Sequence, residues 1–156
     1  MLSRLVLGAG LLAAAGAAAE PPAYRDDRSD PAALIESLYN ALNRQEYARA
    51  WDYFGETKPT ASYEAFVQGY AGTESVELRL GEVTSEGAAG SVFSHAPVAI
   101  RAREAGGATR VFAGCYTVRQ VDPSIQEPPF QPLQIESGKL APASGELEAA
   151  VPAACD

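Results

Sequence analysis

A chain of 156 residues is long enough for one ordinary hydrophobic core and short for two. Its 20 acidic side chains against 12 basic ones give a formal charge of −8. The basic residues form no cluster, so nucleic acid and anionic lipid surfaces are not expected as partners.

In chain order, residues 1–19 read as a signal peptide. Arg4 supplies the positive start, an apolar run follows over 5–12, and Ala17-Ala18-Ala19 gives the small residues of a cleavage site. About half of the stretch is Ala and Gly, which suits a membrane anchor poorly. Cleavage leaves a periplasmic or secreted chain starting near Glu20, with no membrane attachment of its own. Residues 20–29 are polar and contain prolines, and read as a flexible lead-in.

Asp30-Pro31 then marks a helix start, with Asp as N-cap and Pro in the first turn. Leu34, Ile35, Leu38, Ala41 and Leu42 repeat at helical spacing, and Asn43 is the stop. Tyr47, Ala50, Trp51 and Phe54 share one face of a second helix closed by Gly55. Ser62 caps a third, with Phe66, Val67 and Tyr70 on one face.

The period then falls from 3.6 to 2. Val76, Leu78 and Leu80 alternate with charged residues in a first strand. A turn is expected over 85–90, a second strand over 92–102, a hairpin turn at Ala105-Gly106-Gly107 and a third strand over 111–121. Prolines make 122–129 an irregular crossing, and a fourth strand runs from Leu133 to about Leu140. Residues 141–156 form an Ala/Pro/Ser-rich tail. Helices followed by strands give an α+β domain over 30–140, with three N-terminal helices packed in a curved four-stranded antiparallel sheet.

Cys115 and Cys155 are the only cysteines. In an oxidising compartment such a pair reads as a disulfide, which here pins the tail to the sheet. With one histidine besides, the chain lacks the four Cys or His ligands of a structural zinc site, and no metal or cofactor is expected. It has no phosphate-cradling glycine loop and no Gly-x-Ser-x-Gly elbow.

The region around Leu38-Tyr39, with its polar break 43–46, then Tyr47 and the Ala50-Trp51 pair, resembles the nuclear transport factor two-like superfamily of cystatin-like cone folds. More narrowly it resembles exported bacterial members of that group. Polyketide cyclases and ketosteroid isomerases share the cone. The resemblance implies a cone with one open end, and places Tyr39 where an enolate would be held. No residue aligns with a base for such chemistry: Asp52 and Glu56, which flank the second helix, read as solvated charges. His95, on the second strand, reads as a surface histidine with a pocket role as the alternative.

The aromatics suggest a pocket, since an apolar hollow with tyrosine hydroxyls suits a small ligand. Its candidate lining is Tyr39, Trp51, Tyr70, His95 and Tyr116. The expected function is that of an exported, non-catalytic domain binding a small ligand in its cone or a protein partner, including a second copy of itself, on its sheet. The alternative is a small cyclase- or isomerase-type enzyme using a carboxylate base and a tyrosine.

Overall fold

The computed structural model describes residues 19–155. The expected signal peptide therefore lies outside the described residues, apart from Ala19. Helix α1 spans Pro31–Asn43, α2 Tyr47–Asp52 and α3 Tyr63–Gly69. Asp30 caps α1 by accepting a 2.9 Å bond from the Ala33 N–H, and Ser62 does the same for α3 from Ala65. Leu34, Ile35, Leu38 and Leu42 bury the inner face of α1.

Strands β1 (Thr73–Leu80), β2 (Thr84–Ala88), β3 (Ser91–Glu104), β4 (Thr109–Val121) and β5 (Gln134–Ala143) form one curled antiparallel sheet. The order is β1-β3-β4-β5, and β2 pairs with β3 as well. The 14 residues of β3 serve two neighbours in succession: Leu80 faces Val98, and Thr84 faces His95. Pro97 stands at that handover. Its carbonyl accepts from the Gly81 N–H at 2.7 Å, and its missing N–H falls where the neighbouring ladder is interrupted.

Two expectations are corrected here. The sheet has five strands, not four, because β2 occupies most of the expected turn over 85–90. The turn itself shrinks to Ala89 and Gly90, both at positive φ (49° and 75°), which suits a two-residue hairpin. Every residue of β2 is exposed, so no apolar alternation marked it. Among the described residues there are also four α-helices, and the fourth, α4 (Leu147–Ala150), lies in the C-terminal tail. It forms because Leu147 is fully buried, with α4 lying against β3 and β4.

The tail crosses the convex face of the sheet, the side away from α1, α2 and α3. A Cβ placed on Gly81 would meet Val151 at 3.0 Å and Pro97 at 3.1 Å. Glu148 pairs with Arg79 at 2.8 Å. Cys155 is bonded to Cys115, closing a separation of 40 residues with Cα atoms 5.9 Å apart.

The lead-in is hydrogen-bonded along α1 and α2. Ser37 accepts from the Asp27 N–H at 2.8 Å, Arg49 donates to the Arg25 carbonyl at 2.6 Å, and Tyr53 donates to Asp26 at 2.8 Å. The Arg49 guanidinium also lies 4.5 Å from the Tyr24 ring centroid. At the far side of α1, the Asn43 amide donates to the Val76 carbonyl at 2.9 Å and accepts from its N–H at 2.7 Å. Among the described residues no helix is long and apolar enough to cross a membrane.

Candidate functional site

Between the helices and the concave face the chain leaves a cavity of about 370 Å³. Strand parity decides which side chains reach it. Ile100 and Ala102 on β3, and Phe112 and Tyr116 on β4, point inward and form its walls. From the helices come Tyr39, Phe66 and Tyr70.

The aromatic polar groups of the lining are three phenols. The Tyr39 and Tyr116 hydroxyls lie 2.8 Å apart, bonded across 77 residues of sequence. Their rings meet edge to face, with centroids 6.3 Å apart at 72°. Both residues are buried, at 4% and 6% exposure. Burial holds the Tyr39 phenol well above its ordinary range, and the neighbouring Tyr116 adds to this. Burial, reinforced by Tyr70, raises the Tyr116 phenol as well. Tyr70 is raised by burial and then by Tyr47, on whose ring it stacks at 6.3 Å. These phenols are therefore neutral at physiological pH and act as hydrogen-bond donors or acceptors, not as bases.

Gly138 makes room for this arrangement. It lies opposite Tyr116 on β5, and a Cβ there would collide with Tyr116 Cε1. A glycine inside a strand often marks such a close approach, and that was the signal in the sequence that the candidate lining did not use.

Of the five candidates, Tyr39, Tyr70 and Tyr116 come together in the cavity. Trp51 and His95 do not. Trp51 sits one layer behind, with its ring 5.4 Å from Phe66, 5.7 Å from Tyr63 and 5.4 Å from the Lys58 ammonium. His95 has the opposite parity to Ala96, which pairs with the inward Tyr116, so it faces the convex side. There its ring nitrogens lie 3.4 Å from the Thr117 hydroxyl and 3.6 Å from Glu86.

Among the described residues, Arg110 is the one charged side chain lining the cavity, and the lining has no carboxylate and no histidine. Asp52 pairs with Arg28 at 2.7 Å on the surface, and Glu56 lines a separate cleft of about 120 Å³ beside Gly55 and Arg119. Two larger hollows lie elsewhere. One, of about 570 Å³, borders the β2–β3 turn, and the other, of about 460 Å³, lies between α1 and β1 beside the exposed Arg25–Glu36 pair. The first is lined mostly by residues around that turn, and the second by Val76, Leu78 and Leu80 beside Tyr39, Asn40 and Asn43; neither holds the paired Tyr39 and Tyr116 hydroxyls together with Tyr70. No group of three or more acidic, His or Cys side chains among the described residues is placed to hold a metal ion. Compared with known protein families, curated proteins and solved structures, the chain matches none.

Proposed function

We propose that this is an exported binding domain of the nuclear transport factor two-like kind. Its cone holds a small, mainly apolar molecule that carries a hydrogen-bond acceptor. The observation that carries this reading is the phenol set. Each hydroxyl has one proton, so the Tyr39–Tyr116 bond uses one of two and leaves the other to point elsewhere. The Tyr70 hydroxyl makes no hydrogen bond among the described residues, and it lies close enough to the other two to raise both. A ligand carbonyl or ether oxygen would satisfy these donors, while Ile100, Phe112 and Leu140 would cover its apolar part.

The cyclase- or isomerase-type alternative needs a carboxylate base beside Tyr39. The acidic groups considered for it, Asp52 and Glu56, lie outside the cavity. A partner docking on the convex face of the sheet would first have to displace Leu147 and the tethered tail. Both points favour the concave face as the working one, and the disulfide suits an oxidising compartment.

Native mass spectrometry of protein taken from its own host tests this reading. The expected result is a retained small molecule that is lost from an Ala102→Trp variant, whose indole fills the cavity. A cone that arrives empty and takes up no neutral phenylnaphthylamine would overturn it.

A further inference from the structure

The site's chemistry narrows the ligand class, and this step rests on the reading of the cone as a binding site. We infer that the ligand is an amphipathic acid: an apolar body with its anionic group at the mouth of the cavity, held by Arg110.

Three observations carry it. First, the lining is rich in donors. It offers phenols, the Thr73 hydroxyl and one guanidinium, but no carboxylate. An ammonium ligand would meet no carboxylate in the lining, and Glu104 is already paired with Arg110, whereas a carboxylate or sulfonate would find the guanidinium. Second, Arg110 shares the inward parity of Phe112 and Tyr116 on β4, six residues from the phenol pair, so the strand runs from buried hydroxyl through apolar wall to charge. Its guanidinium carbon lies 5.8 Å from the Phe112 ring centroid, which braces the planar group against the wall.

Third, Arg110 is only partly committed. Its Nη2 pairs with Glu104, while Nη1 and Nε have no partner among the described residues. Its side chain is 66% exposed and that of Glu104 is 36% exposed. A water-exposed ion pair of this kind contributes little to stability and exchanges readily. A guanidinium presents five N–H donors in a fork that matches an oxyacid bidentately, so a ligand acid can share the group with Glu104 or replace it. The chain as a whole carries −8, so this local cation, and no general attraction, has to select an anion.

Two fluorescent probes with a common skeleton separate the claims. Anilinonaphthalene sulfonate is the anion, and phenylnaphthylamine is the same framework without the sulfonate. The readout is the ratio of their affinities, sulfonate over neutral, in the intact chain and its variants. In Arg110→Gln the ratio is expected to fall about three- to tenfold, the range of a partly exposed charge-assisted contact. Arg110→Lys should restore part of it. Glu104→Gln, which frees the guanidinium, should raise it about two- to threefold, a gain that loss of structure cannot imitate. A ratio unchanged by these substitutions, with phenylnaphthylamine still bound, would overturn the acid assignment and leave the cone reading standing. If a folded Ala102→Trp variant binds both probes as tightly as the natural chain, the cone reading falls and the acid assignment with it.

Discussion

On the concave face of the sheet the helices leave room between Tyr39, Tyr70 and Tyr116. On the convex face the chain's own tail fills the surface with Leu147 and Val151 and then bonds Cys155 to Cys115. The two faces belong to the same strands and differ only by residue parity. On β3, Ala96, Val98 and Ile100 serve one face, while Pro97 and Ala99 serve the other. The contrast underlies the proposal that the concave face is the one occupied from outside. One face is closed by a covalent tether, and the other has an open mouth and the Tyr70 hydroxyl, which bonds to none of the described residues.

Severing the tether gives the largest effect. Cys155→Ser removes a cross-link across 40 residues, worth about 4 kcal/mol on a chain-entropy basis. Denaturant titration should show that loss, while phenylnaphthylamine affinity stays as it was. If binding fell together with stability, the two faces would not be independent. Gly138→Ala acts on the concave face instead. Forcing a methyl against the Tyr116 ring is expected to cost about 1–3 kcal/mol and to break the hydroxyl pair. The slowly exchanging phenolic proton of that pair, followed by NMR, should disappear. Its survival at unchanged stability would show that Gly138 does not set the seat of the ring.

The smallest effect needs alkaline pH to appear. Tyr39 and Tyr116 have folded-state values raised above the ordinary 10.0, so the folded chain keeps protons that the unfolded chain releases. Their contribution is fully present below about pH 10 and is lost as the pH rises toward the folded values. The urea midpoint should therefore be level through neutral pH and fall above about pH 10. The fall should be shallower in Tyr116→Phe, which retains only the raised Tyr39 and Tyr70 in this cluster. An equally steep fall in that variant would remove the buried pair as its cause.

Much of this organisation was legible in local pattern. Asp30 and Ser62 announced their helices because each cap is chemistry confined to four residues. Val76, Leu78 and Leu80 announced β1 because one of its faces is wet. The cysteine pair was legible from compartment logic. Strand β2 was not, since Thr84–Ala88 lies exposed throughout and carries no contrast between faces. Helix α4 was not legible either: a four-residue helix in an Ala-rich tail is marked by Leu147 alone, and its docking is a long-range event. Tyr39, Tyr70 and Tyr116, three of the five candidates, line one hollow. His95 was offered as lining although its parity already set it against Ala96, and Trp51 because helical spacing shows an inward face without showing that α3 intervenes. Arg110 carried no local signal, since its role depends on where the curled sheet opens.

Asn43 has a consequence that reaches beyond its own molecule. Its amide takes both the N–H and the carbonyl of Val76, and the Arg79 guanidinium takes the Leu78 carbonyl at 2.9 Å. These groups lie on the free border of β1, the kind of row on which a strand from another chain would otherwise template. An arriving strand would therefore find Val76 with both its backbone groups already bonded. The residue that ends the first helix thus also takes up part of the open edge of β1.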